Sequence, residues 1–200
     1  KHGINTRKIN WKGSRGKALE FESRRFASKA NPHLLVQQLC IRALDDITLD
    51  LKTGIHGDVW SLNGEHFSSV EAASTEGDLI GLSLKTGELG TDIAVVEGVL
   101  LQGRAPSATS ITSQGKSIFR NFRFELQEGE EVRIEKVVGI THSNQVASPL
   151  KTACEEVTEA LEQGYNSLVA DHKTLWDAFW ELSDIEIEGN TEAQVLSRFN

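Results

Sequence analysis

The chain has 200 residues, 38% hydrophobic and 25% charged, with a net charge of −8. That length suits one domain or a domain with an appendage, and the balance is that of a globular chain, not a disordered one. The acidic excess disfavours nucleic-acid partners, and no apolar run nears the roughly 20 residues that span a bilayer.

Residues 1–146 read as strands. Leu19, Phe21 and Ser23 alternate with Glu20, Glu22 and Arg24, the period of two of a half-buried strand. Leu34 to Leu44 is an apolar-rich run around Val36, Leu39 and Ile41, and Asp58 to Leu62, with Val59 and Trp60, is a short candidate. Leu79 to Leu84 alternates less cleanly, whereas Ile93 to Leu101 is almost wholly apolar or β-branched. Ile118, Phe122, Phe124 and Leu126 continue the pattern, and Val132, Ile134, Val137 and Ile140 close it. Turn signals separate the runs at Lys12-Gly13-Ser14, Thr53-Gly54, Asn63-Gly64, Glu76-Gly77-Asp78, Thr86-Gly87 and Glu128-Gly129. Many strands at short spacing with glycine turns predict an antiparallel sandwich or barrel.

The character changes at Pro149. From Thr152 the period is helical, with Ala153, Val157, Leu161 and Leu168 on one side. After Gly164 a second helix is expected, capped by Asn166. Its stripe is Leu168, His172, Leu175, Phe179 and Leu182, flanked by Val169, Trp176 and Trp180, the spacing of a buried face. Ile185 and Ile187 alternate with Glu186 and Glu188 as a short strand, and Asn190 or Thr191 caps a third helix.

No motif carries chemistry on its own. The acid pairs Asp45-Asp46 and Glu130-Glu131 sit at a strand end and in a turn, where solvated charge is the ordinary role. Of His2, His33, His56, His66, His142 and His172, no two have metal-ligand spacing, and His172 reads as a satisfied core histidine. There is no Gly-x-Ser-x-Gly elbow and no phosphate-binding glycine loop. Cys40 and Cys154 read as inert thiols of a cytoplasmic protein. Arg24 and Arg25 are either an exposed basic corner or structural arginines against another domain. Trp11 and Trp60 read as packing residues ahead of sugar-stacking platforms. The absence of methionine and the opening Lys1 suggest a fragment.

Glu22-Ser23-Arg24-Arg25-Phe26-Ala27-Ser28 and Asn31-Pro32-His33-Leu34 resemble the amino-terminal domain of glycoside hydrolase family 65. Leu175-Trp176, Trp180, Ser183 to Gly189, Gln194 and Arg198-Phe199-Asn200 resemble that family's linker and the first helix of its catalytic barrel. The resemblance implies a large, mainly β fold of the galactose-mutarotase-like super-sandwich type followed by linker α-helices. It divides the chain into a sandwich over 1–148, lacking its first strands, and a linker with the barrel's start over 149–200. It also implies inverting phosphorolysis of an α-glucosidic disaccharide to β-glucose 1-phosphate by the intact enzyme, without a cofactor or metal. Asn31 and Asn190 stand where the family usually has Asp, and Lys29 where an apolar residue is common. The family's catalytic residues belong to the barrel, so no catalytic position falls here and the 200 residues alone are expected to be inactive. The expected role is to brace the barrel through Leu175, Trp176, Phe179 and Trp180, in a cytoplasmic homodimer without nucleic-acid or membrane partners. A domain of a trehalase-like hydrolase, or a stand-alone carbohydrate-binding or interaction module, is the alternative.

Overall fold

The computed structural model describes residues 2–13, 16–59, 64–74 and 78–198. They form ten strands followed by three helices: β1 (Asn5–Lys12), β2 (Ala18–Ala27), β3 (Leu34–Ala43), β4 (Ile47–Ile55), β5 (Phe67–Ser74), β6 (Ile80–Thr86), β7 (Asp92–Gly103), β8 (Ala108–Gln114), β9 (Ser117–Leu126), β10 (Glu131–His142), α1 (Pro149–Gln163), α2 (Tyr165–Ser183) and α3 (Thr191–Ser197). The strands make a seven-stranded sheet, β1-β2-β3-β10-β7-β6-β5, and a three-stranded sheet, β4-β9-β8. Every pairing is antiparallel. The fold is the expected β-sandwich with linker helices.

The large sheet carries a different cover on each face. Alternate residues of β3, β7 and β10 send Leu34, Val36, Ala94, Val96 and Val137 to one face, where Ala153, Val157 and Ala160 of α1 and Tyr165 and Leu168 of α2 pack on them. Two glycines allow that close approach. A Cβ at Gly98 would lie 2.5 Å from Leu161 Cδ1, and one at Gly139 would lie 2.8 Å from Val157 Cγ2. On the opposite face the small sheet closes two apolar clusters, one around Phe122, Phe124, Val132 and Ile134, the other around Ile80, Leu82, Leu84 and Ile118.

Several local expectations need correction. β1, β4, β5 and β8 were not expected. Thr53-Gly54 is not a turn but the end of β4, where a Cβ at Gly54 would strike the backbone of Ile118 and Phe119. Asp58 and Val59 lie outside any strand, and the rest of that candidate, Trp60 included, lies outside the described residues. The first helix starts at Pro149, whose missing N–H costs nothing in a helix's first turn, instead of at Thr152. Asn166 caps nothing: α2 begins directly after Gly164, at φ 80°, and no side chain caps it. Ile185 and Ile187 belong to no strand. The side-chain amide of Gln194 takes their backbone groups instead, accepting from Ile187 N at 2.6 Å and donating to Ile185 O at 2.8 Å. The third helix is capped as expected by Asn190, whose side chain accepts from Ala193 N.

Candidate functional site

The loop between β2 and β3 holds both long helices. Asn31 makes an Asx turn, its Oδ1 accepting from His33 N at 2.9 Å, while its own amide N donates to Ser28 Oγ at 3.1 Å. Turned this way, the loop presents His33 Nδ1 to Glu156 of α1 at 3.0 Å, and Asn31 Nδ2 donates to the same carboxylate at 3.2 Å. An amide suits this position, because a carboxylate at 31 would face Glu156 with like charge.

On α2 the loop meets His172, which is 1% exposed. Lys29 N donates to His172 Nδ1 at 3.0 Å, so the ring proton sits on Nε2, which donates to His2 O at 2.6 Å. Burial pushes the His172 pKa below its ordinary value, and the hydrogen bond to His2 O only partly opposes that. The ring is neutral and satisfied, as the sequence suggested. Phe26 lies 4.4 Å from it, centroid to centroid, and 6.1 Å from the Tyr165 ring. The same burial raises the Tyr165 pKa.

One turn further, α2 changes character. Trp176, Phe179 and Trp180 form one aromatic cluster: Trp176 stacks on Trp180 at 6.0 Å, and Phe179 sits edge-on to both at 5.5 and 5.2 Å. Lys29 Nζ lies 4.9 Å from the Trp176 ring and 5.1 Å from Phe179, so it supplies a cation to the cluster. The stripe expected to be buried is covered only at its start: Leu175 is 43% exposed, Phe179 41% and Leu182 92%, while Trp176 and Trp180 are half-buried. The two tryptophans also wall a groove of about 840 Å³ against β1 and β2, whose rim carries Lys8, Arg24 and Lys173. Trp176 Nε1 is buried there with no acceptor.

The remaining sequence candidates are not brought into this cluster. Asp45 accepts from Ala18 N and Asp46 from Glu128 N, so that pair fixes turns. Glu130 accepts from Gln127 N, and Glu131 pairs with Arg133. Arg24 is held by Glu22 at 2.6 Å on the helix-covered face, while Arg25 is exposed on the opposite one. Trp11, 47% exposed, lies on the edge strand β1. Cys40 and Cys154 are free thiols. Among the described residues no three His, Cys, Asp or Glu side chains could hold a metal ion, and no helix is long and apolar enough to cross a membrane. Sequence reasoning missed one group, Glu97 of β7. Fully buried between the sheets, it meets Lys136 Nζ at 2.5 Å and the Thr53 hydroxyl at 3.2 Å. A lone carboxylate in the apolar run Ile93 to Leu101 was the available signal.

Residues 1–179 match the model of the glycosyl hydrolase family 65 amino-terminal domain. The chain belongs to that family. It is 30% identical over 199 residues to the 1,2-alpha-glucosylglycerol phosphorylase of Bacillus selenitireducens, covering 99% of this chain and 25% of that enzyme. It is 26% identical to the nigerose phosphorylase of Lachnoclostridium phytofermentans, covering 96% of this chain and 28% of the enzyme. A solved structure assigned as a kojibiose phosphorylase from the human microbiome superposes with a TM-score of 0.85 at 19% identity, over 96% of this chain and 25% of that one. The family 65 chain thus spans about a quarter of the length of the relatives it matches.

Proposed function

We propose that the chain is the non-catalytic amino-terminal sandwich of a cytoplasmic, homodimeric glycoside phosphorylase. The intact enzyme would act on an α-glucosidic disaccharide by inverting phosphorolysis, yielding β-glucose 1-phosphate. In this reading residues 1–148 are the sandwich, and residues 149–200 are the helical linker and the start of the catalytic barrel. The observation that carries this reading is the half-exposed aromatic end of α2: Leu175, Trp176, Phe179 and Trp180 form a contiguous apolar surface beyond the edge of the sandwich core. Each ring offers about 150–250 Å², so covering the exposed part at about 25 cal/mol per Å² favours a docked domain by several kcal/mol. The phosphorylase activities named for the relatives support the reaction class.

Two assays test it. The chain alone, incubated with kojibiose or nigerose and inorganic phosphate, should release no glucose 1-phosphate; release above a buffer blank overturns the non-catalytic role. Replacing the matching quarter of the nigerose phosphorylase with this chain should leave a soluble, active chimera, and Phe179→Glu in that chimera should destroy solubility or activity. An active, soluble Phe179→Glu chimera removes the bracing role.

A further inference from the structure

Two rows of side chains run along α2. Leu168, His172, Leu175, Phe179 and Leu182 form the stripe that begins as core and ends exposed. Asn166, Val169, Lys173, Trp176 and Trp180 recur at steps of three and four residues in a second row, roughly a third of a turn round the helix. This second row is one wall of the groove of about 840 Å³, and Thr6 and Lys8 of β1 with Glu22 and Arg24 of β2 form the other. Both walls belong to this chain, and the volume falls within the roughly 300–1,000 Å³ of small-molecule sites.

The strand wall is arranged for an anion. Glu22 sits between two cations, its Oε2 3.1 Å from Lys8 Nζ and its Oε1 accepting from Arg24 Nε at 2.6 Å. Because Arg24 is gripped through Nε, its two terminal amino groups have no hydrogen-bond partner among the described residues. A guanidinium in that state is a planar fork for two oxygens. Lys173 faces it from α2, exposed and without an ion pair among the described residues. Arg198, the fourth cation of the lining, is already held by Asp184 through two hydrogen bonds of 2.7 Å. Lys8, Arg24 and Lys173 therefore outweigh Glu22 by two charges, in a protein whose net charge is −8.

We propose that this groove binds a phosphorylated monosaccharide. A phosphate monoester carries about −1.5 to −2 charges near pH 7, which matches the excess of the lining, and its oxygens suit the Arg24 fork with Lys8 and Lys173 beside it. The indoles of Trp176 and Trp180 offer a surface to the apolar face of a sugar ring, and the Thr6 hydroxyl and Asn166 amide offer partners to its hydroxyls. A bare anion would leave the indoles uncovered, and a neutral sugar would leave the cations uncompensated, so tight binding needs both parts. Glu22 is a positioning residue that turns the Arg24 fork toward the groove. The site is independent of the reaction assigned to the intact enzyme and of any domain that docks on Leu175 and Phe179.

Calorimetric titration of the chain with glucose 6-phosphate, followed in parallel by indole fluorescence, tests the site. Binding at about 0.1–1 mM is expected, with glucose and inorganic phosphate each at least about tenfold weaker. Lys173→Glu, a change at an exposed position, should weaken binding at least about tenfold and leave the urea midpoint in place. Arg24→Lys keeps the charge but loses the fork, and it should weaken binding too. Four results overturn the proposal. They are no heat or fluorescence change up to about 10 mM, inorganic phosphate binding as well as the sugar phosphate, adenosine monophosphate binding more tightly than the sugar phosphate, or full affinity retained by Lys173→Glu.

Discussion

The two halves of α2 share one helix and one apolar period, yet they differ in how far they are covered. In the first half, Tyr165, Leu168 and His172 are buried, and both imidazole nitrogens have partners. In the second half, Phe179 and Leu182 are exposed and the Trp176 N–H has no acceptor. A helix of 19 residues is about 28 Å long at 1.5 Å per residue, and only its beginning rests on the sheet. The comparison teaches that amphipathic spacing identifies a face that needs covering and says nothing about what covers it. Where the sandwich supplies the cover, the stripe is core; beyond the sandwich, the same stripe is a surface.

The largest effect is expected on the covered side. Phe26, 4% exposed, fills the space between Tyr165 and His172. Phe26→Ala should cost about 3–5 kcal/mol, read from the urea midpoint at constant slope. A loss under about 1 kcal/mol would mean that the first half of α2 is no better anchored than the second. Next comes His172, whose depressed pKa makes stability depend on pH. The unfolded chain binds a proton near its ordinary pKa of about 6.5. The folded form does so only at lower pH, because burial disfavours the charged ring. Stability from this group is therefore complete above about pH 6.5 and falls as pH drops through the folded value. His172→Gln should flatten that part of the stability–pH curve, and an unchanged slope between about pH 6.5 and 5 would remove His172 as its origin.

On the uncovered side the expected losses shrink. Trp176 is half-buried and keeps its contacts with Trp180 and Phe179. Trp176→Ala should cost about 1–2 kcal/mol, below the roughly 3–5 of a fully buried ring. A cost in that higher range, with a doubled mass by light scattering, would show that a second copy buries this face in solution.

Much of the fold was legible because half-buried strands announce themselves by alternation. β2, β3, β7, β9 and β10 carry their apolar residues at the period the sheet requires. β1 was not legible because its residues are almost all exposed, leaving Ile9 and Trp11 as its only apolar signal. β8, exposed along its length and built of Ala, Thr, Ser, Ile and Gln, gave even less. β4 should have been read. Ile47, Leu49 and Leu51 alternate with Thr48, Asp50 and Lys52, but a glycine taken for a turn concealed the strand. The reverse error at Ile185 and Ile187 has the same root, since alternation specifies an extended backbone and not its partner, which here is the Gln194 amide. At the helix clamp, the sequence pointed to Asn31-Pro32-His33 through resemblance alone. The reason those residues belong together, a turn that delivers His33 to Glu156 and Lys29 N to His172, needed three dimensions.

The smallest effect on stability is expected at Phe179, and it separates the two halves most sharply. At 41% exposure its ring gives up little on truncation, and an exposed substitution of this kind usually moves stability by no more than about 0.5 kcal/mol. Phe179→Glu should therefore leave the urea midpoint of the chain nearly where it was. The same change places a carboxylate in the middle of the aromatic cluster, within reach of Lys29, which now lies over the ring. A hydrophobic dye bound by the exposed stripe should be lost from the variant, and so should any domain that docks there, because a desolvated charge without a matched partner is costly in an interface. The prediction is thus a dissociation of two readouts that move together at a core position: unchanged folding stability and abolished surface binding. If Phe179→Glu unfolds the chain as Phe26→Ala does, the second half of α2 is core after all, and the aromatic stripe is not a docking surface.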